Sequence, residues 1–491
     1  MSERTLIKNL AASSDGPVTV SGWVDAIRDQ KKVQFVVLRD ESGAVQLVHP
    51  RAAVATVPEA LEGPGAVQLV HPRAAVATVP EALEGPGAVR LVHPRAAVAT
   101  VPEALEGPAS DPIADTISAL THGSFLTVDG QLIHDDRVKL GGIEIKLDGL
   151  TVVTHAIGEA PIADDSGLDK RMDWRFLDLR RPANNLIFRI QTTLEHAMRS
   201  YWVERDFIEL HTPKLMASAS ESKAELFKVE YFDGVAYLAQ SPQFFKQMAQ
   251  PAGFGRIFEI GPAFRADPSF TSRHATEFTS VDAEISWIDS HEDVMAMHEE
   301  LLVAALTAVK AKHGEEIQAM FGVEVTVPAR PFPRIPLLEA KLIVAERGYL
   351  VPRADDDMDP EGERQIAAHA AEVLGHEFVF LTDYPTAIRP FYHMRDSERP
   401  TITKSYDLLW NGVEISTGAQ REHRVDVLEA QAREKGLDPE ELGFYLDFFR
   451  YGVPPHGGFG MGLSRLMMLM LHLSNLREVT YLFRGPTRLT P

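Results

Sequence analysis

The stretch GRIFEIGPAFRADPSFTSRHATEFTSVDAEISW, residues 255–287, limits what this chain can fold into more than any other. Two β-rich runs, 256–265 and 278–287, flank a polar connection. Runs of that kind pair as an antiparallel hairpin with a long loop. Arg265 ends the first run, and Asp267, Arg273, His274 and Glu277 follow in the connection. Arginines beside carboxylates at the lip of a sheet suit a polyanion, a nucleoside triphosphate above all, because the guanidinium fork matches phosphate oxygens. A surface hairpin with solvated charges has the same pattern, so the rest of the chain must decide.

At 491 residues the chain is long enough for two to four domains. It has no cysteine, which excludes disulfides and thiolate zinc sites and suggests a reducing, cytoplasmic setting. The start, MSERTLIKNLAASSDG, lacks a secretory apolar core, and no apolar run reaches a membrane span; the longest candidate, 466–473, reads as a buried helix. A net charge of −21 argues against indiscriminate nucleic-acid binding. Local basic strips remain available to a docked RNA: Arg28, Lys31, Lys32 and Arg39, and again Arg175, Arg180 and Arg181.

Residues 17–49 read as short strands around a DESG turn, as in a small Greek-key barrel. A 22-residue unit, GAVQLVHPRAAVATVPEALEGP, then spans 43–64, recurs at 65–86, and recurs at 87–108 with Arg90 for the glutamine. Such identity reads as a tandem duplication in a tolerant connection rather than a solenoid. The β pattern resumes over 110–156. Polar, turn-rich 157–182 reads as a hinge. Helical patterns at 186–206, 292–313 and 360–374 alternate with strands without a βαβ cadence, which favours α+β with an antiparallel sheet.

Further chemistry sits downstream. Asp407 and Glu414 lie seven apart on an expected strand pair; hard carboxylates without cysteine or a histidine cluster suit magnesium. No HExxH occurs, which disfavours a zinc hydrolase. Lys246 and Arg421 would together recognise a small acidic ligand if the fold joins them. In PPHGGFGMGLSRL, glycines precede a helix with Arg465 in its first turn, without the GxGxxG spacing of a dinucleotide site.

Taken together these blocks resemble the class II aminoacyl-tRNA synthetases of the aspartyl/asparaginyl branch, archaeal-type aspartyl enzymes most of all. FIELHTPKL with Pro213 is similar to class motif 1, FEIGPAFRAD…RHATEFTSVD to motif 2 and GFGMGLSRL to motif 3. RFLDLRRP, SPQFFKQ and GVEISTGAQREHR are further family blocks, and VSGWVDAIRD…VQFVVLRDESGAVQLV resembles the anticodon-binding barrel. The resemblance implies an OB-fold barrel over 1–156, a hinge over 157–182 and a class II catalytic domain over 183–491, an antiparallel sheet flanked by helices.

It also implies an aspartate–tRNA ligase that dimerises through motif 1 and uses ATP with Mg2+, L-aspartate and tRNA-Asp, with tRNA-Asn left open. Arg265 would hold the α-phosphate, and Arg465 and His274 would meet the γ-phosphate end, with Arg273 and Asp267 also in the ATP site. Phe278 would stack on adenine, and Asp407 and Glu414 would bind the metal. Glu221, Gln243, Asp282 and Thr417 would surround the amino acid, while Lys246 and Arg421 read its side-chain carboxylate. An amide there would leave those two cations uncompensated. In the barrel, Phe35 would stack on an anticodon base, with Arg28 and Gln46 bonding around it. Gln68 and Arg90 are rivals for the Gln46 role. The chain departs from the family at Ser222 and Lys223, where two glycines are usual, at Ala419 for a common glycine, and at Asp267 for a glutamate.

Overall fold

The computed structural model describes residues 5–51, 111–217, 226–269, 271–352 and 357–490. The expected duplication beyond residue 51, with Gln68 and Arg90, and the Glu221–Ser222–Lys223 segment lie outside the described residues. The chain divides into two compact units, Met1–Glu159 and Ala160–Pro491.

The first unit is a closed barrel of β1 (Gly16–Asp29), β2 (Val33–Arg39), β3 (Ala44–Pro50), β4 (Phe125–His134) and β5 (Ile143–Thr154), in the order β1-β2-β3-β5-β4. Period-two alternation decides which side chains enter it. Val36, Leu38, Val45, Leu47, Val128 and Ile145 fill the core. On the outer face Arg28 pairs with Phe35 across β1–β2, and Val37 with Gln46 across β2–β3. Paired residues share a face, so the three expected anticodon contacts lie together. Arg28 is exposed, Phe35 and Gln46 are half-buried, and the Gln46 amide donates to Glu144 at 3.0 Å.

The second unit holds an eight-stranded sheet. Its members are β6 (Ile208–Glu209), β10 (Arg256–Phe264), β11 (Glu277–Ser286), β12 (Arg334–Pro336), β13 (Phe378–Thr382), β14 (Ser405–Trp410), β15 (Val413–Gln420) and β16 (His456–Gly462). The order is β12-β13-β14-β15-β16-β11-β10-β6, antiparallel except for the end pairs β12/β13 and β6/β10. Three short strands, β7 (Leu215–Met216), β8 (Lys228–Tyr231) and β9 (Gly234–Leu238), form a separate sheet.

Helices Pro182–Val203 and His291–Phe321 supply the other layer of the core. The first begins on a proline, whose missing N–H is no loss at a helix start. The second starts in a Ser290–Asp293 capping box and stops at Gly322, whose φ of +69° suits a residue without Cβ. It runs to residue 321, past the expected 313, because Ile317 still buries an apolar face there. Strand alternation then sorts chemistry from packing. Val281, Ala283 and Ile285 of β11 join Phe459 and Met461 of β16 in the core, while Ser280, Asp282 and Glu284 alternate with them.

Candidate active site

A cavity of about 360 Å³ lies on the polar side of β11, β15 and β16. The hairpin of β10 and β11 forms one wall: Arg265 follows the first strand, Asp267, Arg273 and His274 stand in the loop, and Phe278 begins the second. The Arg265 guanidinium sits 5.5 Å from the Phe278 ring centre, and its backbone N–H donates to Thr276, closing the loop's base. Arg465, in the first turn of helix Leu463–Met470, approaches from β16. It donates to the Glu414 carbonyl at 2.9 Å and lies 3.5 Å from that residue's carboxylate. Thr417 donates to Glu414 Oε1 at 3.0 Å. Burial pushes the Glu414 carboxyl up, but Arg465, the Thr417 bond and other arginines outweigh it, so it stays below the usual range.

Gln243 and Lys246 enter from the short helix Gln243–Ala249, and Arg421 follows β15. Lys246 Nζ donates to Asp282 Oδ1 at 2.8 Å and to the Phe459 carbonyl at 2.9 Å. Arg421 donates to Glu284 through Nε at 2.9 Å and to the Gly458 carbonyl through Nη2 at 2.9 Å. Glu284 lies 3.7 Å from Lys246 as well and so bridges the two cations. Burial raises its carboxyl, yet Arg421 and Lys246 together hold it below the usual range and ionised. All four charged groups are buried.

The glycines of β16 make room for this. A Cβ on Gly458 would lie 2.1 Å from the Ala283 carbonyl and 2.2 Å from Glu284 Oε2. The HGGFGMG run is therefore a strand admitting charged neighbours, with the helix beginning only at Leu463.

Two expectations change. Lys246 and Arg421 are not an uncompensated pair: Asp282 and Glu284 already balance them. Asp407 does not reach the cavity wall beside Glu414. Across β14–β15 it pairs with Thr417, and its Oδ2 accepts from Arg389 at 2.6 Å. Burial pushes the Asp407 carboxyl up to about 6 despite Arg389. Among the described residues no cluster of three or more His, Asp or Glu is arranged for a metal.

Arg389, Tyr392 and His393 also line the cavity, and sequence reasoning missed them along with Glu284. Glu284 was within reach, since Ser280, Asp282 and Glu284 stand two apart among apolar residues. The 389–393 segment carries no periodic signal.

The comparisons agree with this geometry. Residues 167–484 match the family tRNA synthetases class II (D, K and N), and residues 18–68 match the OB-fold nucleic acid binding domain. The aspartate–tRNA(Asp/Asn) ligase of Aeropyrum pernix is 37% identical over 481 residues, covering 97% of this chain and 96% of that protein. The aspartate–tRNA(Asp) ligase of Pyrococcus abyssi is 36% identical over 479 residues, 96% of each. The crystal structure of Pyrococcus horikoshii asparaginyl-tRNA synthetase with asparaginyl-adenylate superposes with a TM-score of 0.81 at 27% identity over 100% of both chains. With two of its blocks matched, its length covered and its sheet built in this order, the chain belongs to the class II tRNA synthetases of the D, K and N group.

Proposed function

We infer that this chain is an aspartate–tRNA ligase, which activates L-aspartate with ATP to aspartyl-adenylate and transfers the aspartyl group to the 3′ end of tRNA-Asp. The observation that supports the choice of amino acid is that buried Lys246 and Arg421, though balanced by Asp282 and Glu284, line the same cavity as Arg265 and Arg465 as N–H donors suited to a carboxylate. Lys246 and Arg421 meet the side-chain carboxylate, while Gln243, Asp282 and Thr417 surround the rest of the substrate, with Glu221 completing the set. Arg265 holds the α-phosphate; Arg465, Arg273 and His274 hold the γ-phosphate end, and Phe278 stacks on adenine with Arg465 on its other face.

The substrate's α-carboxylate attacks the α-phosphorus in line and pyrophosphate leaves. A terminal ribose hydroxyl of the tRNA then attacks the carbonyl carbon of the mixed anhydride, giving up its proton as the ester forms and AMP leaves. No side-chain nucleophile is needed; positioning and fixed positive charge do the work. The Glu414 carboxylate on the wall is a hard-oxygen donor that suits magnesium, whose other ligands would come from water and phosphate, whereas Asp407 is held by Arg389. Bound with ATP, the ion would neutralise phosphate charge.

Arg28, Phe35 and Gln46 on the barrel face receive the anticodon. Ile208 and Leu215, exposed and apolar near the two ends of motif 1, support a homodimer through that element. Among the described residues no helix is long and apolar enough to cross a membrane, and we place the enzyme in the cytoplasm, where its tRNA substrate is. Charging assays with labelled aspartate and purified tRNA-Asp and tRNA-Asn test the reading. Aspartyl-tRNA-Asp is expected, the tRNA-Asn arm measures how far the barrel discriminates, and no product with either tRNA overturns it.

A further inference from the structure

Arg421 is fully committed on three sides. A guanidinium has five N–H groups and no acceptor. One on Nε goes to Glu284 Oε1, and the two on Nη2 face Gly458 O at 2.9 Å and Glu284 Oε2 at 3.4 Å. Nη1 faces His393 Nε2 at 3.2 Å. Because the guanidinium can only donate, Nε2 must accept, so the imidazole is neutral and carries its proton on Nδ1. Burial, followed by the charges of Arg421, Arg389, Lys246 and Lys435, keeps the ring well below the usual histidine range.

The backbone holds His393 beside Arg421, and among the described residues its buried Nδ1 has no partner, so the Nε2 contact is the ring's hydrogen bond. His393 and Arg421 form a β-bridge, the Met394 N–H donates to the Gln420 carbonyl at 3.0 Å, and the Glu422 N–H donates to Tyr392 at 2.9 Å. Gln431 donates to the His393 carbonyl at 3.3 Å. Lys246, with three N–H groups, gives one to Asp282 and one to Phe459. Among the described residues each cation therefore keeps one N–H, and both side chains line the cavity.

We propose that His393 is a positioning residue for Arg421: by accepting one Nη1–H it holds the guanidinium so that a single remaining N–H, alongside the single remaining N–H of Lys246, meets the substrate's side chain. Two donors and no acceptor match a carboxylate, whose two oxygens can each take one. A side-chain amide offers one oxygen and an NH2 group that would face an N–H. Selectivity then depends on the orientation of Arg421 and not only on its charge. This rests on the reading of the cavity as the aspartate pocket.

The test is ATP–pyrophosphate exchange by the full chain, with KM for aspartate, KM for ATP and kcat measured separately. His393→Leu, which removes the acceptor, should raise KM for aspartate by about tenfold or more while leaving KM for ATP within about twofold. His393→Gln, whose Oε1 can stand where Nε2 does, should recover most of that loss. An unchanged aspartate KM in H393L, an equal rise in both KM values, or a glutamine variant as impaired as the leucine one overturns the proposal. Should H393L fail to fold, imidazole 15N signals of the full-length protein, assigned by difference from H393Q, decide it. A neutral ring protonated on Nδ1 at neutral pH is expected, and an Nε2–H or doubly protonated ring overturns it. Absence of any aspartate-dependent exchange in the unaltered chain would instead remove the aspartate reading itself.

Discussion

Replacing Glu284 by glutamine keeps the side chain's shape and removes one charge from the buried quartet of Lys246, Asp282, Glu284 and Arg421. Two cations then share one anion. Glu284 lies 2.9 Å from Arg421 and 3.7 Å from Lys246. At an effective dielectric constant near 20, a unit pair about 4 Å apart is worth roughly 4 kcal/mol, so two such pairs forfeit roughly 8 kcal/mol. Sparing the carboxylate its own desolvation returns several kcal/mol, which leaves a net loss of about 3–5 kcal/mol, the usual result of breaking a buried pair. With an m-value near 3 kcal/mol per M, the urea midpoint should fall by about 1 M, read by tryptophan fluorescence. Aspartate brings a carboxylate to the same two cations, so saturating aspartate should raise the midpoint of E284Q more than that of the unaltered protein. A loss under about 1 kcal/mol, or a smaller aspartate effect in the variant, would refute the charge-balance reasoning.

Other outcomes follow from single contacts. His298 is buried with both ring nitrogens unpartnered among the described residues and stacks flat on Phe459 at 3.9 Å; burial pushes it down to about 3. The unfolded chain takes up this proton below about pH 6.5 while the folded one resists until about 3, so stability is complete above 6.5 and declines as pH falls through that window. His298→Phe should therefore lose about 2 kcal/mol less than the unaltered protein between pH 7 and 5, and parallel stability profiles would contradict this. Gly458→Ala forces a Cβ against the Ala283 carbonyl and should destabilise the catalytic unit by about 3 kcal/mol or more in the same urea assay. Phe35→Ala should weaken tRNA-Asp binding by about 5- to 150-fold in filter binding, while leaving adenylate formation unchanged.

Much of this architecture is written locally. The alternation of β1–β3 and the β10–β11 hairpin shows in the residues, and so does the helix after Gly462; the helix expected over 186–206 instead runs from Pro182 to Val203. That wall of the cavity was legible for the same reason: Arg265, Asp267, Arg273, His274 and Phe278 sit within one hairpin. What escaped depends on contacts across long stretches of chain. Glu284 and Arg421 are separated by 137 positions, and Arg389 and Asp407 by 18. The charges of Lys246 and Arg421 were visible in the sequence, but their balancing partners were not, because pairing them needs β11, β15 and β16 side by side. His393 is the extreme case. Its neighbours in sequence say nothing of a guanidinium 28 residues away.

The measurement that bears on the whole scheme is ATP–pyrophosphate exchange by the full chain with aspartate and with asparagine in parallel, repeated with Arg265→Ala. Strong exchange with aspartate, at least about a hundredfold weaker exchange with asparagine, and none with R265A is the expected result. Equal exchange with the two amino acids, or aspartate exchange that survives the loss of Arg265, would contradict it.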